Sequence, residues 1–162
     1  MRYIKLILIS AVVFFAMACI VAFFIPSRIR VFRMTSLAND RDSVLNQVRD
    51  LAQWKKWYPD FQNVELSDEL VKNGKVVEAT ADGIRLVIEE STDSSVVVLM
   101  QKGATPVISG WQINKDDRND SLALQGYMDF QLKWYPWEKL SSLMLDKSYG
   151  DLISRGLQDL KK

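Results

Sequence analysis

Residues 6–25 contain twenty positions and one clearly polar side chain, Ser10. As an α-helix this stretch rises about 30 Å, the thickness of a bilayer's hydrocarbon core. Its backbone N–H and C=O groups would pair within the segment, as lipid requires. Pro26 ends the run, with Arg2 and Lys5 before it and Arg28, Arg30 and Arg33 after it. The chain therefore divides into a membrane anchor, residues 1–26, and a domain, residues 27–162. Two other readings attach to the same stretch. A cleaved signal peptide would use Ala16-Met17-Ala18 as its small-residue site, and a lipoprotein would be acylated at Cys19. Either leaves the apolar residues 20–25 at the new N-terminus, where a polar segment is usual, so an uncleaved single-pass anchor is expected. The basic residues on the two sides nearly balance. A short basic tail before a first apolar run usually stays inside, which puts the domain on the extracytoplasmic side.

The domain holds 136 residues, enough for a core of its own. It carries 19 basic and 20 acidic side chains with no basic run, a poor composition for binding nucleic acid. Histidine is absent, which excludes His-based triads, His metal ligands and His proton shuttles. Cys19 is the only cysteine, so the domain forms no internal disulfide.

Along the domain the apolar period changes three times. Ile29, Val31, Arg33, Thr35 and Leu37 share one face of a first strand, with Phe32 and Met34 on the other. Asn39 and Asp40 are helix caps, and Val44, Leu45, Val48 and Leu51 follow at helical spacing. Trp54, Trp57 and Tyr58 continue as a second short helix that Pro59 stops. About six strands follow. Asn73-Gly74 and Asp82-Gly83 are strong hairpin pairs between them. The last strand is clearest: Leu122, Leu124, Gly126, Met128, Phe130, Leu132 and Trp134 alternate with Ala123, Gln125, Tyr127, Asp129, Gln131 and Lys133. At Tyr135-Pro136 the period becomes helical, and Trp137, Leu140, Met144, Leu145, Tyr149, Leu152, Ile153, Leu157 and Leu160 form one stripe. The expectation is an α+β domain: a curved antiparallel sheet with one face covered by a long C-terminal helix.

Two segments resemble a known superfamily. Val44, Asp50-Leu51, Trp54, Trp57, Pro59 and Phe61 are similar to the first-helix and Trp-rich segment of START-like proteins. The stretch Tyr135-Pro136-Trp137-Glu138-Lys139-Leu140, then Asp146, Gly150, Gly156-Leu157 and Leu160-Lys161, is similar to their final helix. The superfamily is also called SRPBCC, or polyketide cyclase / lipid transport. The resemblance covers residues 28–162 and implies the helix-grip fold, with a cavity between sheet and helix for lipids or other apolar molecules.

Candidate cavity residues are Phe61, Ile88, Leu99, Trp111, Met128, Phe130 and Met144, with Glu90 and Gln101 as polar contacts at the edge. Glu90 is in line with Ile84, Leu86 and Ile88, where it would act as an anchor or general base; a solvated strand end is the commoner role. In a strand Glu89 and Glu90 face opposite sides, so they form no carboxylate pair. Gln101 is in line with Val97 and Leu99. Trp54, Trp57, Trp111, Trp134 and Trp137 line either a pocket or a core. Ser148 and Gly156 leave room on the long helix or let it pack closely. Asp116, Asp117, Asn119 and Asp120 lack the glycine and distal Glu of a calcium loop and read as a turn. No metal-ligand set, cofactor motif or nucleophile–base pair is legible. Three functions stay open: a membrane-anchored binder of a lipid or other hydrophobic small molecule, a scaffold with a filled cavity, and a cyclase- or hydrolase-type enzyme.

Overall fold

The computed structural model describes residues 2–37, 41–115 and 122–161. The helix caps expected at Asn39 and Asp40, and the turn containing Asp116, Asp117, Asn119 and Asp120, lie outside these.

The apolar N-terminal run forms α1 (Arg2–Phe24), whose length and composition meet those of a membrane span; a signal sequence at this place in a chain meets them too. β1 (Arg28–Leu37) follows after three residues. Next come α2 (Arg41–Val48), a 3-10 turn (Leu51–Gln53), α3 (Trp54–Trp57) and a second 3-10 turn (Pro59–Phe61). Six strands then run in order: β2 (Leu66–Lys72), β3 (Lys75–Ala81), β4 (Ile84–Ser91), β5 (Ser95–Lys102), β6 (Thr105–Lys115) and β7 (Leu122–Gln131). The chain closes with α4 (Pro136–Ser141), a 3-10 turn (Ser142–Met144) and α5 (Leu145–Leu160).

The described strands form one antiparallel sheet in the order β1-β7-β6-β5-β4-β3-β2. The meander follows from tight turns. Asn73 and Gly74 have φ of 51° and 76°, Asp82 and Gly83 have 49° and 71°, and this paired positive-φ geometry suits Asn-Gly and Asp-Gly. After β7, β1 pairs back onto it from Arg28↔Gln131 to Leu37↔Leu122, so the first strand sits beside the last.

One face of the sheet is buried. α5 lies over β1 and β7, while α2, α3 and the turns around them occupy the trough over the middle strands. Asp50 fixes that second group: its Oδ1 accepts from the backbone N–H of Ala52 and of Val76, both at 3.1 Å. This carboxylate caps the turn before α3 and ties it to β3. Arg33 fixes α5 from β1, donating to the Asp146 carboxylate at 3.1 and 3.2 Å. Its guanidinium lies against Gly150, where a Cβ would stand 2.2 Å from Nη2.

Two expectations are corrected here. The C-terminal helix is two helices, because the 3-10 turn at Ser142–Met144 shifts the phase of its apolar stripe. Met144 consequently points into solvent, 69% exposed, and Ser148 is exposed as well. β7 ends at Gln131, so Trp134 belongs to the following loop and is 73% exposed.

Candidate functional site

Sheet twist curves the trough, and a straight α5 covers only the β1–β7 side of it. Aromatic rings fill much of the remainder. Tyr58 stacks between Trp54 (centroids 5.1 Å apart) and Phe61 (4.8 Å), and Trp57 meets Trp111 edge-on at 4.9 Å. Trp54 Nε1 donates to the Val48 carbonyl at 2.9 Å, and Trp111 Nε1 donates to the buried Ser109 hydroxyl at 3.1 Å. Trp57 Nε1 is buried with no acceptor among the described residues.

A cavity of about 160 Å³ remains beside this cluster. Phe61, Ile84, Met100, Val107, Met128 and Leu152 give it apolar walls; Tyr58, Asp60, Lys102, Thr105 and Tyr149 supply its polar atoms. Strands β4 to β7 provide the floor, α5 one wall and the Pro59–Phe61 turn another. Burial on the pocket side pushes the Asp60 carboxyl above its ordinary range, and the Arg155 guanidinium pulls it part of the way back. Burial also raises the Tyr58 phenol well above its usual value, so this hydroxyl is protonated at neutral pH.

The expected site residues divide sharply. Phe61 and Met128 line the cavity. Trp111 and Phe130 are buried core side chains, Phe130 packing on Tyr149 with centroids 4.6 Å apart, and Ile88 is half-buried against the same core. Leu99 and Gln101 are on the opposite face of the sheet. The β5–β6 register pairs Val96 with Trp111, Val98 with Ser109 and Met100 with Val107, which sends the residues between them outward. Gln101 instead donates from Nε2 to the Gly103 carbonyl at 3.1 Å. Glu90 is also outside: a bulge follows Ile88, and Glu90 rather than Glu89 pairs with the outward Val97. The bulge therefore undoes the strict alternation that would have carried Glu90 to the core side. Met144 lies on the exposed turn before α5.

Tyr58, Asp60, Lys102, Thr105 and Tyr149 are the polar lining residues the sequence did not mark as site residues. Asp60 sits in a Pro-Asp-Phe turn with no periodicity to assign a face. Its signal was adjacency to Phe61, a residue already expected in the cavity.

A wider depression of about 500 Å³ involves the outer face of the sheet, with Arg30, Glu89, Leu99, Ile108 and Asp129 among its walls. It is larger, and the bidentate Arg30–Asp129 ion pair, both contacts 2.6 Å, stands among its walls. The cavity between the layers is the better ligand site, because Phe61, Ile84, Met100, Val107, Met128 and Leu152 converge on it from the sheet, α5 and the Pro59–Phe61 turn.

No family model matches the chain, and no curated protein matches it. Solved structures do resemble it. DynU16, a protein of the dynemicin biosynthetic locus, is 14% identical over 82% of this chain and 47% of that one, with a TM-score of 0.54. StfQ, a di-domain ARO/CYC protein from the steffimycin biosynthetic pathway, is 10% identical over 83% and 50%, with a TM-score of 0.58. The chain thus spans about half the length of those two proteins. Major latex-like protein 151 from Panax ginseng is 14% identical over 84% of this chain and 97% of its own, with a TM-score of 0.56. The likeness is one of fold: the chain has the helix-grip architecture, with the seven described strands in one antiparallel sheet curved beneath a C-terminal helix.

Proposed function

We propose that the chain is a membrane-tethered binding module that takes the apolar part of a lipid or other hydrophobic small molecule between its sheet and α5. The observation that carries this reading is the cavity bounded by Phe61, Met100, Val107, Met128 and Leu152. Its volume of about 160 Å³ limits what enters. A void near 150 Å³ holds one benzene ring, while pockets for whole drug-sized ligands run from roughly 300 to 1,000 Å³. A ring or the end of an acyl chain therefore fits, with the polar remainder at the rim beside Asp60, Lys102 and Thr105. α1 holds the domain at the membrane, with the domain on the extracytoplasmic side.

The test uses the domain from Ser27 onward and an apolar dye whose emission rises out of water, competed with a membrane lipid extract. Saturable, competed binding is expected, abolished by Leu152→Trp and retained by Met144→Trp. Absence of saturable binding in the wild type removes the reading.

A scaffold with a filled interior is the second reading, favoured by the ring stack of Trp54, Tyr58 and Phe61, which occupies much of the trough. Equal thermal stability with and without every lipid fraction supports it.

A further inference from the structure

α4 and the turn after it turn Lys139 and Ser142 inward and leave their large apolar side chains outward. Pro136, Lys139 and Ser142 are buried, at a spacing of three. Trp137 (62% exposed), Leu140 (38%), Leu143 (69%) and Met144 (69%) form the outward stripe at i, i+3, i+6 and i+7, and Trp134 just before them is bare as well. In a water-facing segment this arrangement is inverted. Contiguous exposed apolar surface of this kind marks an interaction site.

The occupant follows from what α4 packs against. Its neighbour is the C-terminal end of α1: Ala18 and Cys19 are half-buried, Ala22 is 3% exposed, and Lys139 Nζ donates to the Ile25 carbonyl at 2.9 Å. That carbonyl belongs to the helix terminus just before Pro26, where intrahelical donors run out. Residues 18–25 rise about 10 Å along a helix. If the apolar run spans a bilayer it needs this length, so whatever packs on these turns sits at headgroup and upper acyl depth.

We infer that α4 and the turn after it are seated in the membrane–water interface, with Trp134, Trp137, Leu143 and Met144 in contact with phospholipid. Trp and Tyr favour that depth because one end of the ring system is apolar and the other polar; Tyr135 lies 4.9 Å from each tryptophan, stacked on Trp137 and tilted to Trp134. Arg28 and Lys133 flank the Ser27–Leu132 hydrogen bond beside this segment, where their charges suit lipid phosphates. The inference rests on the anchor reading of α1 and adds a second, peripheral membrane contact that fixes how the domain is oriented.

The test uses the full chain in phosphatidylcholine–phosphatidylglycerol vesicles, carrying Cys19→Ser and one nitroxide label at a time. Collision with molecular oxygen, which concentrates in lipid, is compared with collision with a water-soluble nickel chelate. Labels at Val13→Cys and Glu90→Cys serve as anchor and water references. The expected result is a label at Leu143→Cys that favours oxygen, as Val13 does. If Val13 favours oxygen while Leu143 matches Glu90, the anchor stands and the interfacial contact is wrong. Protection of Leu143 from both reagents means that protein, such as a second copy, covers the stripe, and this too overturns the inference. Nickel access at Val13 removes the anchor reading and the inference with it.

Discussion

Gly126 lies directly under the ring of Trp111: a Cβ on it would stand 2.7 Å from Trp111 Cζ3 and 2.9 Å from Ile153 Cγ2. Both neighbours are fully buried, so neither can yield cheaply. Gly126→Ala should destabilise the domain by about 1–3 kcal/mol through overpacking. Gly156, on the helix opposite, is a contrast, since its Cβ would meet Trp57 and Trp111 at ordinary distances of 3.5 and 3.6 Å. Gly156→Ala should stabilise by up to about 1 kcal/mol through helix propensity. Denaturant midpoints of the two variants falling on the same side of wild type would contradict this packing.

Phe130 and Asp129 are adjacent and face opposite ways. Phe130 is buried against Tyr149, whereas Asp129 pairs with Arg30 in an exposed ion pair. Phe130→Asp buries an unpaired charge and should cost about 3 kcal/mol or more. Asp129→Ala should cost less than about 1 kcal/mol. Urea unfolding distinguishes them, and a reversed order would mean the register of β7 is wrong.

The two tryptophans of the α3 cluster differ in one hydrogen bond. Trp54→Phe removes the bond to the Val48 carbonyl as well as ring volume, while Trp57→Phe removes volume and a buried N–H with no acceptor among the described residues. Trp54→Phe should therefore be more destabilising, by about 1 kcal/mol. Matched thermal melts of both variants check this.

Asp60 makes stability depend on pH in a definite direction. Its folded pKa is raised, mainly by burial, so the native state holds the proton more tightly than the unfolded chain. Stability is then greatest below the unfolded value near about pH 4 and falls as the pH rises through the folded value. Asp146 opposes this: the Arg33 hydrogen bonds depress its pKa, and its contribution is lost as the pH falls. The difference between Asp60→Asn and wild type isolates the first effect. The variant should be more stable at neutral pH, with the gap closing toward about pH 4; a gap that widens on acidification would refute it.

What the sequence made legible was whatever carried a strict period or a tight turn. β7 alternates without interruption, and both hairpin dipeptides turn where expected. β5 reads Val96-Val97-Val98-Leu99-Met100, apolar on both faces, so alternation had nothing to distinguish and its register with β6 decided the matter. In β4 a single extra residue at Glu89 reversed the side on which Glu90 falls. The stripe through Trp137, Leu140 and Met144 was real but belonged to a different surface, because the 3-10 turn before α5 broke its phase. The candidate site was half legible for the same reason: Met128 stands in the uninterrupted alternation of β7 and Phe61 closes the aromatic segment that carries the resemblance, whereas Asp60 beside it stands in a turn without a period.

Only Ile25, Pro26 and Ser27 separate α1 from β1, and the Ser27 carbonyl is itself held by the Leu132 N–H at 2.8 Å. Three extended residues reach about 10 Å at most, and proline stiffens the middle one. With α1 in a bilayer, the domain has almost no leash. Its cavity travels laterally at one height above the lipid instead of sweeping a hemisphere. Encounters with other membrane components then scale with their number per unit area.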